Sequence, residues 1–317
     1  MTAATGTQSS TNRSIAVFDP SPLLTVTIEA GSDDAPELHL HAGGQGFWVA
    51  RMIRLLGMHV TLCAPFGDDT GRVLRVLVEA EGVGVRGTAA QGASGWYVHD
   101  RRDGQRETIA QADGAALSRH EVDDLYGAAL VTGLEAGVLV LTGPARPSIV
   151  SDDVYRRLST DMRSNGSVVV ADVSHAVLSS MLEGGVDMLK MSHEDLIEGG
   201  FARDEELPSL LEAIDNLQQA GARNVLISRA ADPALARVDG RTVEIIVPRL
   251  EPMEFRGSGD SMTAALAVAL ARDLDLDSAL RLAAAAGALN VARHGLGTGQ
   301  PRDIEALSKR IEIRPVS

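Results

Sequence analysis

Cysteine and lysine are almost missing from this chain of 317 residues. Cys63 is the single cysteine, which excludes an internal disulfide framework and a multi-cysteine metal site. Lysine occurs twice, at Lys190 and Lys309, so arginine carries the basic chemistry. No Gly-Lys-Ser/Thr triplet exists, which removes a Walker A loop, and no Gly-x-Gly-x-x-Gly follows a strand. There is no Gly-x-Ser-x-Gly elbow, and the eight histidines form no His-Glu-x-x-His, so hydrolase and zinc readings lack support. His39 and His41 share one strand face, but two histidines do not make a metal site. No apolar run approaches the length of a membrane span. Net positive charge is also lacking: at −14 the chain is expected to bind neither nucleic acid nor an anionic membrane.

What remains is a chain with 44% hydrophobic residues, enough for one large α/β domain. Residues 1–14 are polar, rich in Thr and Ser and without a signal-peptide core, and are expected to form a disordered tail. With one cysteine and no such leader, the expected location is the cytoplasm. From Gly137 onward, apolar strands alternate with amphipathic helices: strands at 138–142, 167–172, 186–190 and 224–228, helices at 152–163, 176–182 and 206–220. Continuous apolar strands separated by helices indicate a mostly parallel sheet covered on both faces. Asp239-Gly240 marks a hairpin between 234–238 and 242–247, and the chain from Gly257 to Lys309 reads as largely helical. Earlier, strand 15–18, helix 46–56, strand 60–64 and helix 70–81 belong to the same core. Short strands within 23–41 and 95–110, the latter turning at Asp103-Gly104, read as a small β-sheet projecting as a lid.

The most informative residues are Arg256-Gly257-Ser258-Gly259-Asp260, followed at once by a run of small apolar residues. A Gly-x-Gly turn opening onto a helix presents unpaired N–H groups at the positive end of the helix dipole. Such a turn binds phosphate-like anions and stabilises negative charge that develops during a reaction. Asp260 beside it is either a base that takes a proton from an attacking hydroxyl or a plain helix cap. A second cluster, Gly43-Gly44-Gln45-Gly46, precedes the helix at 46–56; it is either a ligand-approach turn or a helix-entry turn.

Taken together, the two clusters resemble the two signatures of the PfkB (ribokinase-like) carbohydrate kinase family. "AGGQGFWVARMIRLLG" resembles the first signature, and "RGSGDSMTAALAVAL" the second. Between them, "GDDTGRVLRVLVEAEGV", "VVVADVSHAVL" and "DMLKMSHEDL" resemble the family's Gly-x-Asp-x-x-Gly, Asp-x-Ser and Lys-Pro-Asn-x-x-Glu-Leu segments in the same order. The likeness spans about residues 15–298 and leans toward the 1-phosphofructokinase branch. It implies a three-layer αβα ribokinase-like core over 15–313 with a β-sheet lid, and a homodimer joined through the lids. The implied reaction is phosphoryl transfer from ATP with Mg²⁺ to a hydroxyl of a sugar or sugar phosphate. In it, Asp260 is the base, and Gly257, Ser258 and Gly259 form the anion hole. The implied substrate residues are Asp19, Gly43, Gly44, Gln45 and Trp48. On the nucleotide side the implied residues are Lys190, Ser192, Ser228 and Asn290, with Asp195 acting indirectly on the metal, while Arg229 and Arg256 stand where the family usually has apolar residues and are candidates to restore positive charge near the phosphates.

The chain departs from the family pattern at several of these places. Gln45 replaces a lysine, Trp48 an asparagine, and Leu23 the sugar-binding aspartate, leaving Asp19 nearby. Ala93-Ser94-Gly95-Trp96 lacks the arginine that grips a sugar phosphate. Ser228-Arg229-Ala230-Ala231-Asp232-Pro233 has lost both glycines of the phosphate loop, and Ser192-x-x-Asp195 stands for Asn-x-x-Glu. Arg229 and Arg256 are either replacement phosphate ligands or members of surface ion pairs. These losses keep two alternatives open beside the kinase: a binding protein on a kinase scaffold, and a nucleoside kinase in which Trp48 and Trp96 stack on a base.

Overall fold

A computed structural model describes residues 14–31, 35–173, 175–251, 256–292 and 297–316. The expected tail at 1–14 therefore lies outside the described residues, except Ser14, which opens the first strand rather than ending a tail. Ser174 of the Asp-x-Ser segment also lies outside them.

Strand β1 (Ser14–Phe18) enters the core, and β2 (Leu23–Ala30) and β3 (Pro36–Gly43) leave it for a small sheet. The chain returns through β4 (His59–Gly67) and β5 (Gly84–Ala90), then completes the small sheet with β6 (Gly95–Asp100) and β7 (Glu107–Ala112). The remaining strands are β8 (Val138–Thr142), β9 (Val168–Asp172), β10 (Met188–Ser192), β11 (Val225–Arg229), β12 (Asp232–Val238), β13 (Arg241–Ile246) and β14 (Glu312–Pro315). They build a ten-stranded sheet in the order β14-β13-β12-β11-β10-β9-β8-β1-β4-β5. From β11 to β5 every pairing is parallel; β12, β13 and β14 add an antiparallel edge. Because β14 pairs with β13 through Pro315, the core runs past residue 313.

Successive side chains of a strand point to opposite faces, and both faces of β1 are apolar. Ile15 and Val17 enter one buried cluster, Ala16 and Phe18 the other. The first cluster is roofed by α1 (Gln45–Leu55), α2 (Asp68–Ala80), α8 (Ser258–Ala271), α9 (Leu276–Val291) and α10 (Pro301–Ser308). The second is roofed by α3 (Arg119–Ala136), α4 (Asp153–Ser164), α5 (His175–Gly184), α6 (His193–Glu198) and α7 (Leu207–Ala220). The result is a three-layer αβα core. Among the described residues, no helix is long and apolar enough to cross a membrane.

The small sheet has the order β3-β2-β6-β7. Its register puts Val26, Leu40 and Val98 on one face, with Ile28 and Leu38 beside them and Trp96 further along. Thr25, Thr27, His39, His41, Tyr97 and His99 line the other. The rings of His39 and His41 stack with centroids 6.2 Å apart. Leu38 is 62% exposed, so the apolar face is bare at its outer end.

Candidate functional site

The parallel strands end side by side, and their carboxyl ends carry the polar residues. This is the edge where open α/β sheets bind ligands. Asp19 follows β1, Asp172 ends β9, Lys190 and Ser192 lie on β10, and Ser228 lies on β11. Helix α8 points its N-terminus at this edge. Gly257 caps it at φ 73°, a left-handed conformation that favours glycine, and no side chain caps the first turn. The N–H groups of that turn therefore have no side-chain cap.

Gly259 is required by packing. A Cβ there would lie 2.2 Å from Lys190 Nζ, so the missing side chain is what lets the ammonium sit against the turn. Lys190 Nζ donates to Asp172 Oδ2 at 3.1 Å, and both side chains are buried. Thr263 Oγ1, also buried, donates to the same oxygen at 2.8 Å. Burial alone pushes the Lys190 ammonium down, but the negative charges of Asp172, Asp260 and Asp195 more than offset it, and it stays protonated.

Asp260 is the third residue of α8. Burial of its carboxyl, with Asp172 and Asp19 adding to the effect and Lys190 opposing it, pushes its pKa up to about 7. A carboxyl raised in this direction suits a general base working near neutral pH. Asp19 is also raised to about 7, chiefly by burial, with the Ser21 and Phe47 amides opposing. Its Oδ1 accepts from Ser21 N at 3.0 Å, while Oδ2 is buried without a partner. Gly46 explains how it fits: a Cβ there would lie 2.3 Å from Asp19 Cβ, so α1 begins directly against the carboxyl.

The other residues singled out in the sequence fall in different places. Gly44 opens α1 at φ 96°, and Gln45 Oε1 accepts from Gly143 N at 3.0 Å, tying α1 to the loop after β8. Trp48 packs edge-on to Phe47 at 5.1 Å, with the Arg51 guanidinium 5.9 Å from its ring centroid. Its ring lies against Gly43, on the Thr25 side of the small sheet, whereas Trp96 lies on the opposite face. The two tryptophans cannot sandwich one base. Ser192 and Asp195 close a capping box on α6, with Ser192 Oγ donating to Asp195 Oδ2 at 2.7 Å. Ser228 Oγ donates to the Met191 carbonyl at 3.4 Å. Arg229 reaches the carbonyls of Pro233 and Glu205 and lies 3.7 Å from Asp232, the ion-pair alternative raised by its position in the sequence. Asn290 is fully buried; Nδ2 donates to the Arg256 carbonyl at 2.7 Å and Oδ1 accepts from Gly297 N at 3.0 Å, so it braces the entry to α8. Ser258 Oγ turns to the Gly287 carbonyl at 3.3 Å.

Thr263 and His99 escaped the sequence reading, and Asp172 entered it only as part of the Asp-x-Ser segment, without a role. Thr263 and Asp172 are recognisable only through their shared contact, although Asp172 ends an otherwise apolar strand. His99, buried on the polar face of the small sheet, meets Arg106 through Nε2 and Thr108 through Nδ1 at 3.2 Å. Burial, with the charges of Arg106, Arg256 and Arg101 adding, holds it below its ordinary pKa. The charge of Arg256, at the entry to α8, thus reaches the polar face of the small sheet.

Comparison with known proteins agrees with this geometry. Residues 15–303 match the model of the pfkB family carbohydrate kinases. The chain is 26% identical over 282 residues to the 1-phosphofructokinase of Escherichia coli K12, covering 87% of this chain and 88% of that one. It is 25% identical over 262 residues to the ATP-dependent 6-phosphofructokinase isozyme 2 of the same organism, covering 80% and 82%. The crystal structure of phosphofructokinase-2 from Escherichia coli in complex with potassium superposes with a TM-score of 0.82 at 22% identity, covering 94% of this chain and 99% of that one. With its ribokinase-like fold and its match along nearly the whole described length, the chain belongs to the pfkB family of carbohydrate kinases.

Proposed function

We propose that this protein transfers the terminal phosphoryl group of ATP to a hydroxyl of a sugar phosphate, with Asp260 as the base. One observation carries the reading: a carboxyl raised to about 7 sits in the first turn of an uncapped helix, beside a glycine pressed against a buried ammonium. In phosphoryl transfer the protein does little covalent chemistry; positioning and charge stabilisation supply most of the rate. Asp260 takes the hydroxyl proton, and the N–H groups over Gly257–Gly259 receive the charge on the phosphoryl oxygens. Lys190, just beneath Gly259, adds its charge from below.

The uncapped first turn of α8, with the Lys190 ammonium against Gly259, suits a phosphate chain. Among the described residues no group of three or more His, Cys, Asp or Glu is placed to hold a metal ion. Magnesium commonly uses one or two carboxylates and completes its shell with phosphate oxygens and water. The donor set therefore suits an ion carried in on the nucleotide, with Asp195 acting at a distance. Asn290, closed off from the cleft, serves by holding the Arg256 segment rather than by touching the nucleotide. Asp19, with its unpartnered Oδ2, suits a sugar hydroxyl.

A phosphorylated acceptor is supported by the positive charge gathered around His99, where Arg106, Arg256 and Arg101 act together. That cluster stands in for the arginine missing from residues 93–96. The small sheet serves as the lid, its polar face over the cleft and its apolar face against the lid of a second copy. An exposed apolar face of this kind marks an interaction surface, so we assign a homodimer. A cytoplasmic location suits an ATP-dependent enzyme whose one cysteine is buried and free.

The test is ADP release from Mg·ATP against a panel of sugar phosphates, free sugars and nucleosides. Turnover with a sugar phosphate is expected. Turnover confined to nucleosides would overturn the substrate class. ATP binding without turnover on any acceptor would favour the binding-protein alternative.

A further inference from the structure

We propose that Thr263 and Asp172 are positioning residues: Asp172 holds the Lys190 ammonium beneath the anion hole, and Thr263 keeps the Asp172 carboxylate hydrogen-bonded when the ammonium turns to a bound phosphate. The inference rests on the phosphoryl-transfer reading of the site. Three elements meet at one atom: Asp172 Oδ2 at the end of β9 accepts from Lys190 Nζ on β10 at 3.1 Å and from Thr263 Oγ1 on α8 at 2.8 Å. Asp172 and Lys190 are each 5% exposed and Thr263 is fully buried, so little water reaches the shared oxygen.

A threonine inside a helix ordinarily returns its hydroxyl to the carbonyl four residues back. That option exists here, since Thr263 Oγ1 lies 3.1 Å from the Gly259 carbonyl. The hydroxyl has one proton and two acceptors, and the shorter contact is the tertiary one. A valine would fill the same volume, so packing does not require the hydroxyl. A buried ion pair is in itself weak support for stability.

The position of the pair supplies the missing reason. Lys190 Nζ lies 2.2 Å from where a Gly259 Cβ would stand, directly under the turn offered to the phosphate. One of its three N–H donors is bound to Asp172. When an anion draws on the ammonium, Asp172 would be left as a buried carboxylate short of a donor, a costly state. Thr263 prevents this by keeping its bond to the same oxygen. The charged groups facing Asp260 are Asp172 on β9, Lys190 on β10 and Asp19 after β1; Lys190 also faces Asp195 on α6. Asp172 therefore tunes the base as well as holding the lysine.

The test pairs Thr263→Val with Thr263→Ser and reads ATP affinity by calorimetry separately from turnover. Thr263→Val is expected to weaken ATP binding about tenfold, the scale of a hydrogen bond to a charged group, and Thr263→Ser to restore it. In Asp172→Asn the acid limb of the turnover profile should move down by about one pH unit, because a like charge beside the base is gone. Wild-type ATP affinity in Thr263→Val, or an unmoved acid limb in Asp172→Asn, overturns the proposal. A wild-type protein whose ATP affinity responds to Thr263→Val but which phosphorylates nothing contradicts the kinase reading alone.

Discussion

Gly259→Ala asks whether the close approach of Lys190 to α8 serves the reaction. The added Cβ would sit 2.2 Å from Lys190 Nζ and 3.3 Å from Cε. A comfortable contact is about 3.5 Å, so the turn and the ammonium must separate by about 1.3 Å. Lys190 can give way only by loosening its buried bond to Asp172, which moves the ammonium off its place under the turn. Two effects then oppose each other in stability. Overpacking costs about 1–3 kcal/mol. Alanine in place of glycine inside a helix returns up to about 1 kcal/mol. The net loss is about 0–3 kcal/mol, and the protein should stay folded at room temperature. Activity responds more steeply, because a misplacement of about 1 Å at a reacting site costs about 100-fold in rate. The assay is steady-state ADP release beside a thermal melt. The prediction is a large fall in kcat with a small shift in Tm. Turnover at the wild-type level in a folded Gly259→Ala protein would refute the argument that this contact positions the reacting groups.

Three further outcomes follow from the same geometry. With Asp260 raised to about 7, kcat should climb with pH through that value and level off above it, and a profile flat across the range would show that this carboxyl does not titrate in the rate-limiting step. Asp19 is likewise raised from 3.8 to about 7, so the folded protein holds this proton more tightly than the unfolded chain. Its stabilising contribution is full below about pH 4 and lost as the pH rises through 7. Asp19→Asn should therefore leave the melting temperature alone at about pH 4 and raise stability by up to roughly 4 kcal/mol at about pH 8.5, seen by thermal melts at both values. Replacing Leu38 and Leu40, 62% and 40% exposed, with aspartate should convert a dimer to a monomer by light scattering; an unchanged mass would place the interface elsewhere.

The parallel core was legible because β8 and β9 are buried on both faces and read as near-continuous apolar runs. Helix α3 was not. Its buried stripe is Leu125, Ala129, Gly133 and Ala136, too small to stand out, although the Ser118-x-x-Glu121 capping box at its start is a readable signal. Strand β5 is mostly glycine, alanine and threonine, and takes its conformation from seven residues of parallel pairing with β4. In the site, Gly257 could be read because its left-handed backbone favours glycine, and Gly259 and Asp260 drew notice through the Gly-Ser-Gly-Asp pattern around it. Thr263 and His99 could not, and Asp172 was seen only as part of the Asp-x-Ser segment, since each gains its meaning from a partner on another element. Arg229 shows the converse: charge beside a lost phosphate loop invited a phosphate role, yet the side chain is bound to Asp232 and two carbonyls.

The central claim is that Asp260 accepts the proton of the attacking hydroxyl, and Asp260→Asn tests it most directly. Asparagine has nearly the same shape and cannot take the proton. Rates of ADP formation from Mg·ATP and the preferred acceptor should fall by about 10²–10⁴ relative to wild type, with ATP affinity and melting temperature retained. An Asp260→Asn enzyme that still turns over at close to the wild-type rate would contradict the account.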